Sequence, residues 1–306
     1  MGFRFTILCL VLFACISCNS EKNNKTELAV VTKQDNSTTT NNKFNDYWYT
    51  GKAELNSYEL KQARYNEIRD GEVVLIFVTE PFSLSKQVKL DRPDKAGKDK
   101  VTVMKLNQVR KFNTGIYDYS IVTSTFTPVD TQNHPLTLKS TTSIQEWCGQ
   151  TFTQLNLDQK KYNFQQFTYF ESTGDEKKQF DAALLEEDLM TRIRINNGQL
   201  PLGEIDLIPS TLYSRSSHKN LQPEKAKISK TENKKSITYK IEYSTLNRTI
   251  TIESEKNFPF KILGWIEDNG SDLITTARLK SSINEPYWKQ KSVKDEAKRK
   301  ELMLSK

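Results

Sequence analysis

Few residues in this 306-residue sequence combine a reactive side chain with the neighbours that chemistry requires. The most compact grouping is Glu146-Trp147-Cys148-Gly149-Gln150, with a carboxylate, an indole and a thiol side by side. A nucleophilic cysteine needs a nearby histidine or cation to lower its pKa, and access to solvent. Cys148 stands between Trp147 and a strand, which predicts a buried thiol beside a core aromatic. Gly149 predicts a bulge or a close backbone approach. Glu204 and Asp206 alternate with Ile205 and Leu207, so both carboxylates would leave one face of an extended segment, where a cleft could receive them. The denser run Glu186-Glu187-Asp188 predicts a solvated helix face. Phe164, Phe167, Tyr169 and Phe170 would pack a core or line a lipid or glycan pocket.

Larger signatures are missing. There is no Gly-rich phosphate loop, no His-Glu-x-x-His and no Gly-x-Ser-x-Gly. Two histidines are too few for most histidine-based metal sites, and His134 and His218 both fall in turns or polar loops. The expectation is therefore no cofactor, no metal and no assigned catalytic residue.

One cysteine has a clear chemical setting. Arg4 precedes an apolar run from Phe5 to Ala14, too short to span a membrane and of the size of a secretory leader. The run ends at Cys15-Ile16-Ser17-Cys18, which resembles a bacterial lipobox. That predicts a signal peptide over 1–17 and a lipidated (palmitate-type) Cys18 as the first mature residue. Cys9 and Cys15 leave with the leader, so Cys148 has no disulfide partner. Residues 18–43 are rich in Asn, Thr, Ser and Lys, a composition that predicts a disordered tether reaching roughly 25–30 Å. Asn19-Ser20-Glu21-Lys22 lacks the acidic run of a surface-export signal. The expected place is thus the bacterial cell envelope, on the outer membrane facing the periplasm.

The elements that must position these residues are mostly strands. With 15 Phe, 12 Tyr and 4 Trp, composition favours sheet over helical bundle. Phe44–Tyr49 reads as an anchoring strand or lid, and 58–69 as either a helix face or a bulged strand. Asp70-Gly71 reads as a hairpin turn, and Val73–Val78 is a buried strand. Strands follow over 101–106, 117–126, 136–144, 152–155 and 162–170. Asp181–Met190 is the best helical pattern, with Asp181 as its cap. Residues 200–209 are extended, and Ser210–Ser214 form a short helical turn. Residues 225–231, 237–244 and 249–254 alternate apolar and polar positions, and 258–266 and 273–279 follow to close a meander with one buried face. The fold expected is mainly β: ten to twelve strands in a large, curved antiparallel sheet or partly closed barrel, with one or two helices, one of them plugging the concave side. It would occupy 44–288, with a division near 176–181 as the alternative, and 289–306 would form a charged, exposed tail.

Formal net charge is +7, spread through Lys-rich loops rather than gathered into a nucleic-acid-binding stripe. The lipobox, the tether, Tyr47-Trp48-Tyr49-x-Gly51-Lys52-Ala53-Glu54 and Gln145-Glu146-Trp147-Cys148-Gly149 together resemble a family of uncharacterised Bacteroidota lipoproteins. Some of these carry the label septum formation inhibitor Maf, although the Ser-x-Ser-Pro-Arg-Arg stretch of Maf pyrophosphatases is absent. The expected fold is also similar to that of periplasmic lipoprotein carriers. The leading expectation is a membrane-anchored, non-enzymatic domain binding an apolar ligand, a lipid or an envelope protein. The alternatives are a hydrolase or transferase acting on glycan or cell wall through Glu146, Glu204 or Asp206, and a purely structural component.

Overall fold

The structure, a computed structural model, describes residues 38–305, with side chains from residue 42. The leader 1–17, Cys18 and residues 19–37 of the tether lie outside the described residues.

Two meanders share one sheet. The first runs through β1 (Ala53–Arg64), β2 (Glu67–Ser83), β3 (Lys100–Thr114), β4 (Tyr117–Pro128), β5 (Lys139–Glu146), β6 (Gly149–Asp158), β7 (Lys161–Thr168) and β8 (Glu176–Asp181). The second runs through β9 (Leu184–Leu185), β10 (Gly203–Ile208), β11 (Glu224–Glu232), β12 (Ser236–Tyr243), β13 (Thr249–Glu255), β14 (Ile262–Asp268) and β15 (Thr275–Glu285). The hydrogen-bonded order is β8 back to β1, then β15 back to β9, and every adjacent pair is antiparallel except β9–β10. The fold is mainly β, a single 15-stranded sheet with a few short helices.

This sheet has to curl. β8 and β9 are its two ends, yet only Ala182 and Ala183 separate them in the chain. At 3.8 Å per Cα step, Asp181 and Leu184 lie within about 11 Å of each other. One apolar cluster spans this seam, joining Leu155, Tyr162 and Phe164 from β6 and β7 to Leu185, Ile208 and Leu221.

The concave side is filled. Helix α2 (Leu189–Ile195) sets Leu189 and Ile193 among buried residues of both meanders, including Leu60, Phe77, Tyr239 and Trp265. Helix α1 (Thr38–Trp48) adds a fully buried Trp48. The segment 44–48, expected as a strand or lid, is therefore helical, and the helix begins inside the stretch read as tether. Its aromatic spacing serves packing instead: the Tyr47 and Trp48 rings meet edge to face, 4.9 Å apart.

Two local expectations are corrected. The first hairpin turns at Tyr65-Asn66, both with positive φ, and not at Asp70-Gly71. Gly71 lies within β2, where an added Cβ would stand 2.3 Å from the Lys111 carbonyl oxygen. Its glycine thus answers to a close strand approach. The pattern 181–190 is not one helix: it comprises the end of β8, β9 and a 3₁₀ turn (Glu186–Asp188), with α2 beginning only at Leu189. Burial of the acidic triplet against the interior overrides the local helical composition. The segment 58–64 is the bulged strand, its irregularity falling at Ser57/Tyr58.

β1 is buried at six consecutive positions because both its faces are covered. Its inner face carries Glu54, whose carboxylate accepts from Arg194 Nη1 at 2.7 Å and Nη2 at 2.5 Å, from Asn56 Nδ2 at 2.7 Å and from the Tyr47 hydroxyl. The guanidinium also donates through Nε to the Pro259 carbonyl and lies over Trp48 and Phe77. The outer face lies under the C-terminal segment. Residues 293–305, expected as an exposed tail, dock there through Leu302, which packs against Ala53, Leu55 and Val78. Ser57 Oγ donates to the Leu302 carbonyl and Lys280 Nζ to that of Met303. Leu302→Ala is expected to cost about 2 kcal/mol, read as a lower urea midpoint at unchanged slope.

Candidate functional site

The antiparallel order places alternate connections at the same end of the curled sheet. The β1–β2, β3–β4 and β5–β6 turns, the β7–β8 connection, and the loops 244–248 and 269–274 all form one rim. Helix α3 (Thr211–Ser216) covers part of this opening. Ser210 caps it, its Oγ accepting from the amides of Leu212 and Tyr213. That cap turns Leu212, Tyr213 and Arg215 over the mouth of a pocket.

The pocket has a volume of about 70 Å³ and shares Arg110, Leu212, Arg248 and Glu267 as a wall with a second cavity of about 50 Å³. At roughly 10–15 Å³ per water, the outer volume holds a handful of waters or one small anionic group. Four arginines line it: Arg64 from β1, Arg110 from β3, Arg215 from α3 and Arg248 from the β12–β13 loop. Two carboxylates face them, Glu146 and Glu267.

The inner charges are paired. Arg110 donates to Glu267 at 2.5 Å and to Gln62 at 2.8 Å, while Trp265 Nε1 donates to the same Glu267 oxygen at 2.9 Å. Burial alone would raise the Glu267 pKa, but Arg110 and Arg248 outweigh it and hold it at about 2. Arg248 donates to both oxygens of Glu186, at 3.0 and 2.5 Å, and Tyr243 donates to Glu186 at 2.8 Å. Asp188 is fully buried against Arg192. The triplet expected on a solvated face thus points inward. Glu187 has hydroxyl and amide donors from Ser140 and Thr211, but burial dominates and raises its carboxyl.

The outer charges are different. Among the described residues, Arg64 and Arg215 form no ion pair. Arg64 donates to the hydroxyls of Tyr65 and Tyr119 at 3.1 and 3.4 Å, and its Nε is buried without a partner. Arg215 reaches only Thr151 Oγ1, at 3.4 Å, and lies over the Phe170 ring. Glu146 accepts from Tyr119 at 2.9 Å. The mouth therefore carries two guanidinium groups outside any ion pair, set against the single carboxylate of Glu146.

The residues singled out from sequence scatter. Glu146 stands half-buried on the pocket wall. Trp147 and Cys148 form the tip of the β5–β6 hairpin, so the thiol expected in the core is exposed and free. The hairpin turns at these two residues, leaving the Trp147 ring outside with Nε1 donating to Asp118 at 2.8 Å. Gly149 does mark a close approach, since an added Cβ would stand 2.7 Å from the Tyr169 ring. Glu204 and Asp206 do not enter a cleft. They point outward from β10, where Asp206 pairs with Lys225 of β11 at 2.8 Å.

The arginines were the residues missed. One signal was present: Arg110 takes an inward place in the alternation Leu106, Gln108, Arg110, Phe112 of β3, where a charge implies a buried partner.

No protein-family model matches this chain, and no curated protein matches it by sequence. Among solved structures it is similar to the crystal structure of a beta-barrel-like protein of the domain of unknown function DUF1849 from Brucella abortus. The identity is 10% and the TM-score 0.42, over 76% of this chain and 96% of that one. A likeness of that size says nothing about what either chain binds.

Proposed function

We propose that this protein is a non-enzymatic binding protein, lipid-anchored through Cys18 in the bacterial envelope, whose arginine-lined pocket receives an anionic group. The observation that carries the binding reading is that Arg64 and Arg215, neither in an ion pair among the described residues, outnumber the Glu146 carboxylate at a mouth sized for one small anion. Arginine suits this role because its planar fork offers paired donors to phosphate or carboxylate oxygens. A purely apolar ligand is less well supported, since α2, Trp48 and the inward side chains fill the concave side. The scatter of Glu146, Glu204 and Asp206 removes the support for glycan chemistry through those three. The anchor rests on the Ser17-Cys18 context and the polar stretch after it.

The test is calorimetric titration with inorganic phosphate and glycerol phosphate. Saturable binding that weakens with salt is expected. Arg64→Gln and Arg215→Gln should each reduce it roughly tenfold, the worth of one charge-assisted hydrogen bond. Identical isotherms for parent and variants would remove the pocket from consideration.

A further inference from the structure

The rim around that pocket carries an unusual set of residues. Hairpin tips usually hold Gly, Asn, Asp or Ser. Here four successive tips of the first meander each present a large apolar or aromatic side chain to solvent. They are Tyr65, Ile116 at 87% exposure, Trp147 at 68% and Tyr169 at 75%. Ile274 adds a fifth from the β14–β15 loop. At the opposite rim the loops 129–138, 159–160 and 233–235 present none, and the exposed large apolar residues of that end, Tyr49, Val88, Leu202 and Trp288, lie off the hairpin tips, in the longer connections and the segments flanking β1 and β15. Neighbouring hairpins lie two strands apart, roughly 10 Å, so the four tips trace an arc of about 30 Å. That is too wide for one small ligand to cover.

We propose that this rim docks on a lipid layer, so that the anion entering the pocket is the phosphate of a membrane lipid head. The inference rests on the pocket reading above. Two features favour lipid over glycan or a second copy. Ile116 and Ile274 have no ring face to stack on a sugar, whereas aliphatic tips flanked by Trp and Tyr match the apolar edge and headgroup level of a bilayer. The charge at the mouth is also complementary to a phosphate: Arg64 and Arg215 outnumber Glu146 there, while the rim's own carboxylates, Glu171, Asp175 and Asp272, lie on the loops outside it. The lipid stays in its layer, because the pocket holds only its head.

Cys148 supplies the probe, since it is exposed at the Trp147 tip. In the full chain carrying Cys9→Ser, Cys15→Ser and Cys18→Ser it is the sole thiol and takes a nitroxide. On phosphatidylglycerol-containing vesicles the label should gain relaxation by oxygen and lose relaxation by an aqueous nickel chelate, and pure phosphatidylcholine should produce less of both changes. Ile116→Ser and Tyr169→Ser should each weaken partitioning roughly tenfold while leaving inorganic phosphate binding unchanged. If the label stays aqueous on both vesicles while phosphate still binds through Arg64, docking is overturned and the pocket reading survives. If the label enters both vesicles equally and no phosphate binds, the pocket reading is overturned and the head assignment with it. Sedimentation showing a dimer that the rim variants dissociate would assign the tips to a second copy and also overturn the proposal.

Discussion

Alanine at Glu54 is expected to lower the unfolding free energy by about 3–5 kcal/mol, the usual penalty for stranding a buried charge. Arg194 is fully buried and Glu54 only 1% exposed. The carboxylate takes donors from Arg194, Asn56 and Tyr47, and those groups come from α2, β1 and α1. Burial on its own would raise the Glu54 pKa, but Arg194 holds it below the ordinary range. Removing the carboxylate leaves a guanidinium sealed under Trp48 with one carbonyl for company. The double substitution Glu54→Leu with Arg194→Met should recover most of the loss, because it removes the desolvation of both charges. Guanidinium chloride midpoints of the parent, the single and the double variants decide this. A single-variant cost under about 1 kcal/mol would mean water reaches the pair.

Acidification is the second large effect. Glu267 is held at about 2 against an ordinary value of 4.5. A depressed folded pKa contributes stability that is complete above 4.5 and disappears as pH falls towards 2. At about 1.36 kcal/mol per pH unit, that amounts to roughly 3 kcal/mol. Glu54, also depressed, adds loss in the same direction. Glu187 acts oppositely: its raised carboxyl withdraws stability as pH climbs from 4.5 through its folded value. Glu267→Gln should leave the protein weaker at neutral pH, because Arg110 loses its counter-charge, yet flatter between pH 4.5 and 2. Urea titrations across that range provide the readout. An unchanged slope in the variant would place the acid response elsewhere.

Much of the sheet was legible because alternation survives wherever one face is wet. Residues 225–254 show it, and β11 to β15 fall close to the expected spans. Legibility failed where tertiary contacts overrule local composition. Asp181–Met190 has helical residues, but the seam needs two short strands there and the interior needs its acids. Asp70-Gly71 has turn chemistry, but Lys111 demands a glycine at 71 for a different reason. Trp147-Cys148 looked like core because both side chains usually are, and only the two-residue hairpin places them outside. The pocket was hardest to read. Its four arginines come from four separate elements, 64 to 248 in the chain, and meet only once the sheet has curled.

The sheet order also determines when the protein can finish folding. β1 lies mid-sheet, between β2 and β15, with Ala53 opposite Glu285. Each meander can zip locally as it emerges, but the joint between them closes a loop of more than two hundred residues. Until then β1 and β15 each present an unpaired edge, the kind that recruits other chains. The C-terminal segment that follows β15 covers β1 and fastens the joint from outside. A chain stopped short of β15 therefore differs in kind from one lacking a surface helix: it is two sticky half-shells whose productive partner was never made.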